Sequence, residues 1–377
     1  MKLTKIFAFV LGALAFAACE NKTESGKPTP SPEPGPEPTG GITLVADKTT
    51  VKMGESVTFT VVDEAQQDVT AQATIYDKDF NEVAPTVTFN ESGKYSYFAT
   101  LGSLNSKYVI ITVMAELPEV PADPQPDNYA FNHRVLLIDH TGVNCGYCPN
   151  MTDSLLALAE TSYHGSYNEV TCHAGSMAGG DPGNSAAANA LNQFQISMIA
   201  GYPNVVFNFY GPTVGNYGAA HTVPYLKQAI ESIVLKEGAA VGISLAVEGD
   251  DTTVYCAAQI KSAKTQEYKA TAWLLESNIY SPNQSGATKD VHRIYNYALR
   301  NMSHEYTRTN VQGDSIGVLE AGDVVDCAFE LPVISTKWES ENFDVLVIVS
   351  ALDSDGRWDV VNTAMCHIGA TKEIEYL

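Results

Sequence analysis

The chain has 377 residues, 45% of them hydrophobic, which is enough apolar material for two or three cores. Its formal net charge of −22, with 44 acidic against 22 basic side chains, excludes nucleic acid as a partner, because phosphates are held by clustered Lys and Arg. The same acidity suits a soluble, exported protein that avoids anionic surfaces.

The first element, residues 1–19, "MKLTKIFAFVLGALAFAAC", has the layout of an export signal. Lys2 and Lys5 give the positive start, and the apolar run from Ile6 to Ala18 is too short for a membrane span of about 20 residues. The closing "FAAC" resembles the lipobox of bacterial lipoproteins. That resemblance implies cleavage before Cys19 and acylation of Cys19, and stable anchoring takes more than one acyl chain. Residues 20–41 form a tether. Six prolines alternate from Pro28 to Pro38 and favour an extended polyproline II rod of roughly 34 Å, at about 3.1 Å per residue.

Residues 42–116 read as short strands separated by turns, with apolar and polar residues alternating clearly in Ser56–Val61 and Tyr108–Met114. The opening "DKTTVKMGESVTFTV" is similar to that of bacterial immunoglobulin-like domains, which implies an N-terminal β-sandwich acting as a spacer or binding a partner or glycan. Residues 117–128, "LPEVPADPQPDN", form a second proline-rich linker, read as a hinge.

Residues 129–236 change character. "VLLID" suits a strand buried on both faces, "PNMTDSLLALAE" a helix, "NEVTCHAG" a strand, "SAAANALNQFQI" a helix, "YPNVVFNF" a strand and "VPYLKQAIESIVLK" a helix. Such alternation predicts an α/β domain with a mostly parallel sheet. Residues 237–377 return to β, with six strand-like runs and a long insertion from Ile279 to Asn310. They read as a C-terminal β-sandwich.

The chemistry centres on Cys145-Gly-Tyr-Cys148, which follows an apolar strand and opens a helix. A helix N-terminus favours a thiolate, so Cys145 is a candidate nucleophile and Cys148, one turn on, a candidate resolving thiol. Pro149 suits the first helical turn. A permanent small-loop disulfide is the competing reading. Zinc would need two further ligands, and the adjacent Cys172 and His173 point to opposite faces of a strand, so no metal is expected.

The strand, cysteine pair and helix, followed by "GYPNVVFN", resemble the thioredoxin fold. The resemblance implies a cis-proline at Pro203 for substrate docking and a buried acid at Asp139 as a candidate base. Asn144 stands where thioredoxins carry tryptophan, and the glycine-rich insert "HAGSMAGGDPGN" lengthens the interval to Pro203. The signal, the cysteine pair, and "NIYSPNQSG" followed by "VHRIYNYALR" are together similar to the Omp28-related outer-membrane lipoproteins of Bacteroidetes-type bacteria, over roughly residues 129–377. That resemblance implies a lipid-anchored envelope protein at the outer membrane, with redox and adhesin-like roles both available.

Elsewhere, Cys172, Cys256, Cys327 and Cys366 sit in apolar strand-like runs as free thiols or one bridge. "LDSDGRWD" offers carboxylates at Asp353, Asp355 and Asp359 but reads as a tight turn rather than a calcium loop. His292, Arg293 and His304 read as surface-loop residues. No cofactor-binding motif is recognisable. Two functions are therefore expected in competition. One is a tethered thiol–disulfide oxidoreductase acting on exported protein thiols or disulfides; the other is a non-enzymatic interaction protein for a surface protein or glycan, with the thioredoxin-like domain as scaffold.

Overall fold

The computed structural model describes residues 41–114 and 117–377. The signal with Cys19 and the tether up to residue 40 lie outside the described residues. Among the described residues strand accounts for 43% and helix for 15%, so the protein is mostly β and multidomain.

The N-terminal unit contains β1 (Ile42–Ala46), β2 (Thr50–Lys52), β3 (Ser56–Asp63), β4 (Thr74–Asp77), β5 (Glu82–Val83), β6 (Thr86–Thr88), β7 (Gly93–Leu101), β8 (Leu104–Asn105) and β9 (Val109–Met114). They form two sheets, β1-β3-β6 and β2-β9-β7-β4-β5, with β8 paired to β7. The alternation in β3 sends Val57, Phe59 and Val61 inward, where they share a core with Tyr97, Ile111 and Val113 of the other sheet. The result is a two-sheet sandwich.

The linker that follows is pinned rather than free. Lys261, only 2% exposed, extends its ammonium to Asp123 Oδ2 at 2.8 Å and to the carbonyls of Gln125 and Pro126 at 3.1 and 2.6 Å. The rings of Tyr129, Tyr376 and Phe131 surround the same ammonium, with centroids 4.7, 5.7 and 5.9 Å away. A buried ammonium needs this many partners, and here the linker itself supplies several of them. Proline content alone suggested a hinge; the lysine that clamps it lies far along the sequence.

Next come β10 (Val135–Thr141), α1 (Cys148–Ala159), β11 (Tyr167–His173), α2 (Ala186–Phe194), β12 (Asn204–Phe207), β13 (Thr213–Gly215) and α3 (Ala219–Ile233). β10 pairs in parallel with β11 and antiparallel with β12. It is buried along its whole length, as the apolar run Val135–Ile138 requires, and the burial extends over the polar Asp139, His140 and Thr141. Leu137 and Phe207 pack with Leu155 of α1 and Leu226 of α3 on one face, and Ile138 and Cys172 pack with Leu191 of α2 on the other.

The remaining strands are β14 (Val241–Gly249), β15 (Thr253–Ser262), β16 (Gln266–Glu276), β17 (Ile279–Tyr280), β18 (Ile294–Tyr295), β19 (Ala298–Met302), β20 (Asp314–Leu319), β21 (Val324–Pro332), β22 (Phe343–Leu352), β23 (Trp358–His367) and β24 (Thr371–Lys372). A four-stranded sheet, β21-β15-β14-β24, shares the core of Leu245, Ile260, Leu274 and Val347 with β16 and β22.

Two expectations change here. The sheet does not stop at the expected 236/237 boundary. β19, from the segment read as an insertion, pairs in parallel with β11 and antiparallel with β16, giving one nine-stranded sheet, β13-β12-β10-β11-β19-β16-β22-β23 with β20 on β16. One core accordingly mixes Leu136 and Val170 with Trp273 and Leu346. The second change concerns the separate α/β domain expected over 129–236. Among the described residues the α-helices number three, and they cover one end of that shared sheet, so helix content does not support such a domain. Local periodicity reveals strands and helices but not a pairing between residues more than a hundred positions apart.

Candidate functional site

Cys145 and Cys148 form a disulfide with Cα atoms 5.4 Å apart, at the point where β10 gives way to α1. The Cys145 N–H donates to Gly142 O at 3.0 Å and the Cys148 N–H to Cys145 O at 3.3 Å, closing a tight loop. Pro149 lies in the first turn of α1, where a missing N–H leaves no helical bond unmade. Between the two half-cystines, Gly146 and Tyr147 face solvent, and Tyr147 is 70% exposed. The half-cystines are not: Cys145 is 3% and Cys148 2% exposed.

Two loops bond to the backbone around Cys145. The first is the glycine-rich insert. Asn144 donates from its backbone to Met177 O at 3.0 Å and from Nδ2 to Gly179 O at 2.9 Å. Gly142 permits the close approach, because a Cβ there would lie 2.6 Å from Met177 O. Asp181, buried in the same insert, accepts from Val143 N at 2.7 Å and Gly183 N at 2.8 Å, and its Oδ2 lies 3.0 Å from His173 Nδ1. Burial alone would raise the Asp181 carboxyl, but hydrogen bonding and charge from His173, with the two backbone donors, hold it below the ordinary carboxylate range.

The second loop comes from the segment between β17 and β18. The Ser285 N–H donates to Val143 O at 2.8 Å, and Gln284 Nε2 donates to Cys145 O at 3.2 Å. Gly286 packs so closely that a Cβ would stand 2.1 Å from Gly146 O. Behind it, Tyr295 donates its hydroxyl to Gln284 Oε1 at 2.6 Å and stacks against His173, with ring centroids 4.1 Å apart. The two covering loops therefore brace each other.

The other expected site residues flank this loop. The register His140↔Asn204 puts Pro203 beside the C-terminal end of β10, where the cysteine loop begins. Pro203 is buried and follows a cis peptide bond from Tyr202. Asp139 is 3% exposed, and its Oδ1 has no hydrogen-bond partner. Burial, and then the neighbouring Glu169 carboxylate, push its carboxyl well above the ordinary range, favouring a neutral acid. Burial raises Glu169 to about 7. On the other face, His140 is fully buried, with Nε2 2.8 Å from Gln195 Oε1, and burial lowers it to about 4.

Among the described residues no group of three or more His, Cys, Asp or Glu is placed to hold a metal ion. Cys172, Cys256, Cys327 and Cys366 are free thiols, and the first, second and fourth are buried. In "LDSDG", the Arg357 guanidinium engages Asp353 and Asp355, while Asp359 Oδ1 accepts from Phe209 N, so the three carboxylates do not converge. His292 and His304, read as surface-loop residues, are buried at 4% and 8% exposure. His292 Nε2 meets Asp153 Oδ1 at 3.0 Å, and His304 Nδ1 meets Thr271 at 3.0 Å. Asp181, Gln284 and Tyr295 were not legible as site residues. The signal in the sequence was glycine, abundant in the first covering loop and present as Gly286 alone in the second, which marks close backbone approach.

Residues 195–372, a little under half of the chain, match the family model described as "Outer membrane protein Omp28". That match supports an outer-membrane or envelope setting. No curated protein matches the sequence. Among solved structures, HBP35 of Porphyromonas gingivalis is similar over 66% of this chain and 80% of its own, with a TM-score of 0.50 at 16% identity, which shows a shared fold and nothing further. A membrane-anchored protein from Corynebacterium diphtheriae overlaps 90% of this chain and 62% of its own at 12% identity, but its TM-score of 0.20 carries no argument. No helix among the described residues is long and apolar enough to cross a membrane.

Proposed function

We propose that this is a non-enzymatic envelope protein, anchored through an acylated Cys19, in which a thioredoxin-like arrangement serves as scaffold and the Cys145–Cys148 disulfide is a structural staple. The resemblance to thioredoxins rests on the order β10, cysteine pair, α1, parallel β11, α2 and antiparallel β12 preceded by Pro203. The observation that carries the staple reading is the near-complete burial of both half-cystines, with Gln284–Gly286 and the glycine-rich insert bonded to the backbone around Cys145. Thiol–disulfide exchange needs a thiolate to approach one sulfur along the S–S axis and form a mixed disulfide. Here the backbone on both sides of Cys145 is already taken by other segments of the chain. The partners of such a scaffold are surface proteins or glycans, met by the sandwiches and exposed loops.

The test is an insulin-reduction assay with dithiothreitol as the electron source, run with the protein at micromolar concentration. The staple reading expects no acceleration over dithiothreitol alone. Acceleration that disappears in Cys145→Ser would overturn it and restore the exchange catalyst expected from the motif.

A further inference from the structure

We infer that the segment Ser281–Thr288 is a built-in lock on the disulfide, occupying the face of the cysteine loop that an incoming thiol must reach. This rests on the staple reading above and names the element that makes the pair inert. The segment makes two bonds to the loop it covers, Ser285 N–H to Val143 O and Gln284 Nε2 to Cys145 O, which seat two consecutive tight turns against the end of β10 and the loop beyond it. Gly286, at φ +72°, then lies flush on Gly146, and any side chain at this position would strike backbone.

The lock is fixed at both ends. On the N-terminal side, Ser281 N donates to Arg293 O at 2.8 Å, and Tyr295 holds Gln284 from behind. On the C-terminal side, Lys289 Nζ reaches both carboxylate oxygens of Asp153 at 2.8 Å, and His292 Nε2 reaches Oδ1 at 3.0 Å. Asp153 belongs to α1, the same helix that Cys148 opens. The segment is thus tied to the helix it covers and cannot drift from the disulfide while those bonds hold. A loop needed only to connect β17 to β18 would require none of these bonds to α1 or to the cysteine loop.

Reduction by dithiothreitol measures access directly. Its thiolate attacks one sulfur, the S–S bond breaks with its electron pair leaving on the other sulfur, and the second thiol displaces the mixed disulfide. Two electrons pass to the protein and the reagent closes to its cyclic disulfide. The rate is read by quenching with an alkylating agent and weighing the Cys145 and Cys148 peptides. The comparator is a synthetic Cys-Gly-Tyr-Cys peptide disulfide.

Gly286→Val forces the segment off Gly146, and Gln284→Ala removes the bond to Cys145 O as well as the Tyr295 anchor. Wild type is expected to react at least 10-fold more slowly than the peptide, Gly286→Val to recover most of that factor, and Gln284→Ala to react several-fold faster than wild type. If Gly286→Val does not fold, Gln284→Ala alone decides. A slow wild type with variants equally slow overturns the lock and leaves the staple reading standing. A wild type as fast as the peptide overturns both.

Discussion

Replacing Lys261 with methionine tests the pinned linker. The substitution keeps most of the apolar stem and removes only the ammonium, which is buried at 2% exposure among Asp123, two linker carbonyls and three rings. Breaking a buried pair by removing one partner costs about 3–5 kcal/mol. The lower end applies, since Asp123 is 14% exposed and still accepts from the Tyr376 hydroxyl at 2.5 Å. A loss of about 3 kcal/mol corresponds to a fall in Tm of roughly 6–12 °C for a body of this size. Thermal unfolding followed by circular dichroism reads it, and limited proteolysis should show cutting within 117–128 in the variant alone. The pH dependence follows from Asp123. Burial pushes its carboxyl up, but the hydrogen bonds from Lys261 and Tyr376 and the Lys261 charge leave it below the ordinary value. A depressed carboxyl stabilises above its unfolded pKa of about 3.9 and loses that contribution as pH falls through the folded value, so the difference between wild type and variant narrows below about pH 4. A Tm change under about 2 °C at neutral pH would refute the reasoning.

Other consequences are equally open to measurement. Asp181→Ala strips Val143 N–H and His173 of their shared acceptor inside the protein and should cost about 3 kcal/mol in urea unfolding, with the loss shrinking as acid protonates Asp181 in the wild type. The double variant Cys145→Ser, Cys148→Ser should fold but lose about 2 kcal/mol, the chain-entropy value for a loop of about four residues; complete unfolding would mean that the staple is essential to the core. Glu375 is partly buried, which alone would raise its carboxyl, yet Arg134 and Lys372 hold it at about 2 against an ordinary value of about 4.3. Discounted for 32% exposure of its side chain, this contributes about 1–2 kcal/mol above pH 4.3 that fades as pH falls toward 2. Glu375→Gln should therefore remain less stable than wild type at pH 7 and match it near pH 2.

Much of the local structure was legible because it follows from local periodicity. β3 declares its inward face by alternation, β10 its double burial by the apolar run Val135–Ile138, and α1 its start by Cys148 and Pro149. The six apolar runs read after residue 237 are β14, β15, β16, β21, β22 and β23. What escaped the sequence depends on contacts between distant residues. The parallel pairing of β19 with β11 links Ala298 to Thr171, and the lock joins Ser285 to Val143. Nothing in the sequence around Lys261 marks it, because its partners come from residues 123–131 and 376. At the site, the cysteine spacing showed where the chemistry would sit, but exposure decides whether it proceeds. Gln284 and Asp181 lie in stretches the sequence did single out, "NIYSPNQSG" and the glycine-rich insert, but nothing in either stretch shows that it folds over the cysteine loop.

The reduction potential of the Cys145–Cys148 pair tests the central claim most directly. It is read by equilibrating the protein with redox buffers of known potential, alkylating, and weighing the two peptides. A structural staple, whose disulfide form the fold stabilises, predicts a value below about −300 mV, resistant to reduction by glutathione. A value between about −270 and −120 mV would place the pair among exchange catalysts and contradict the account.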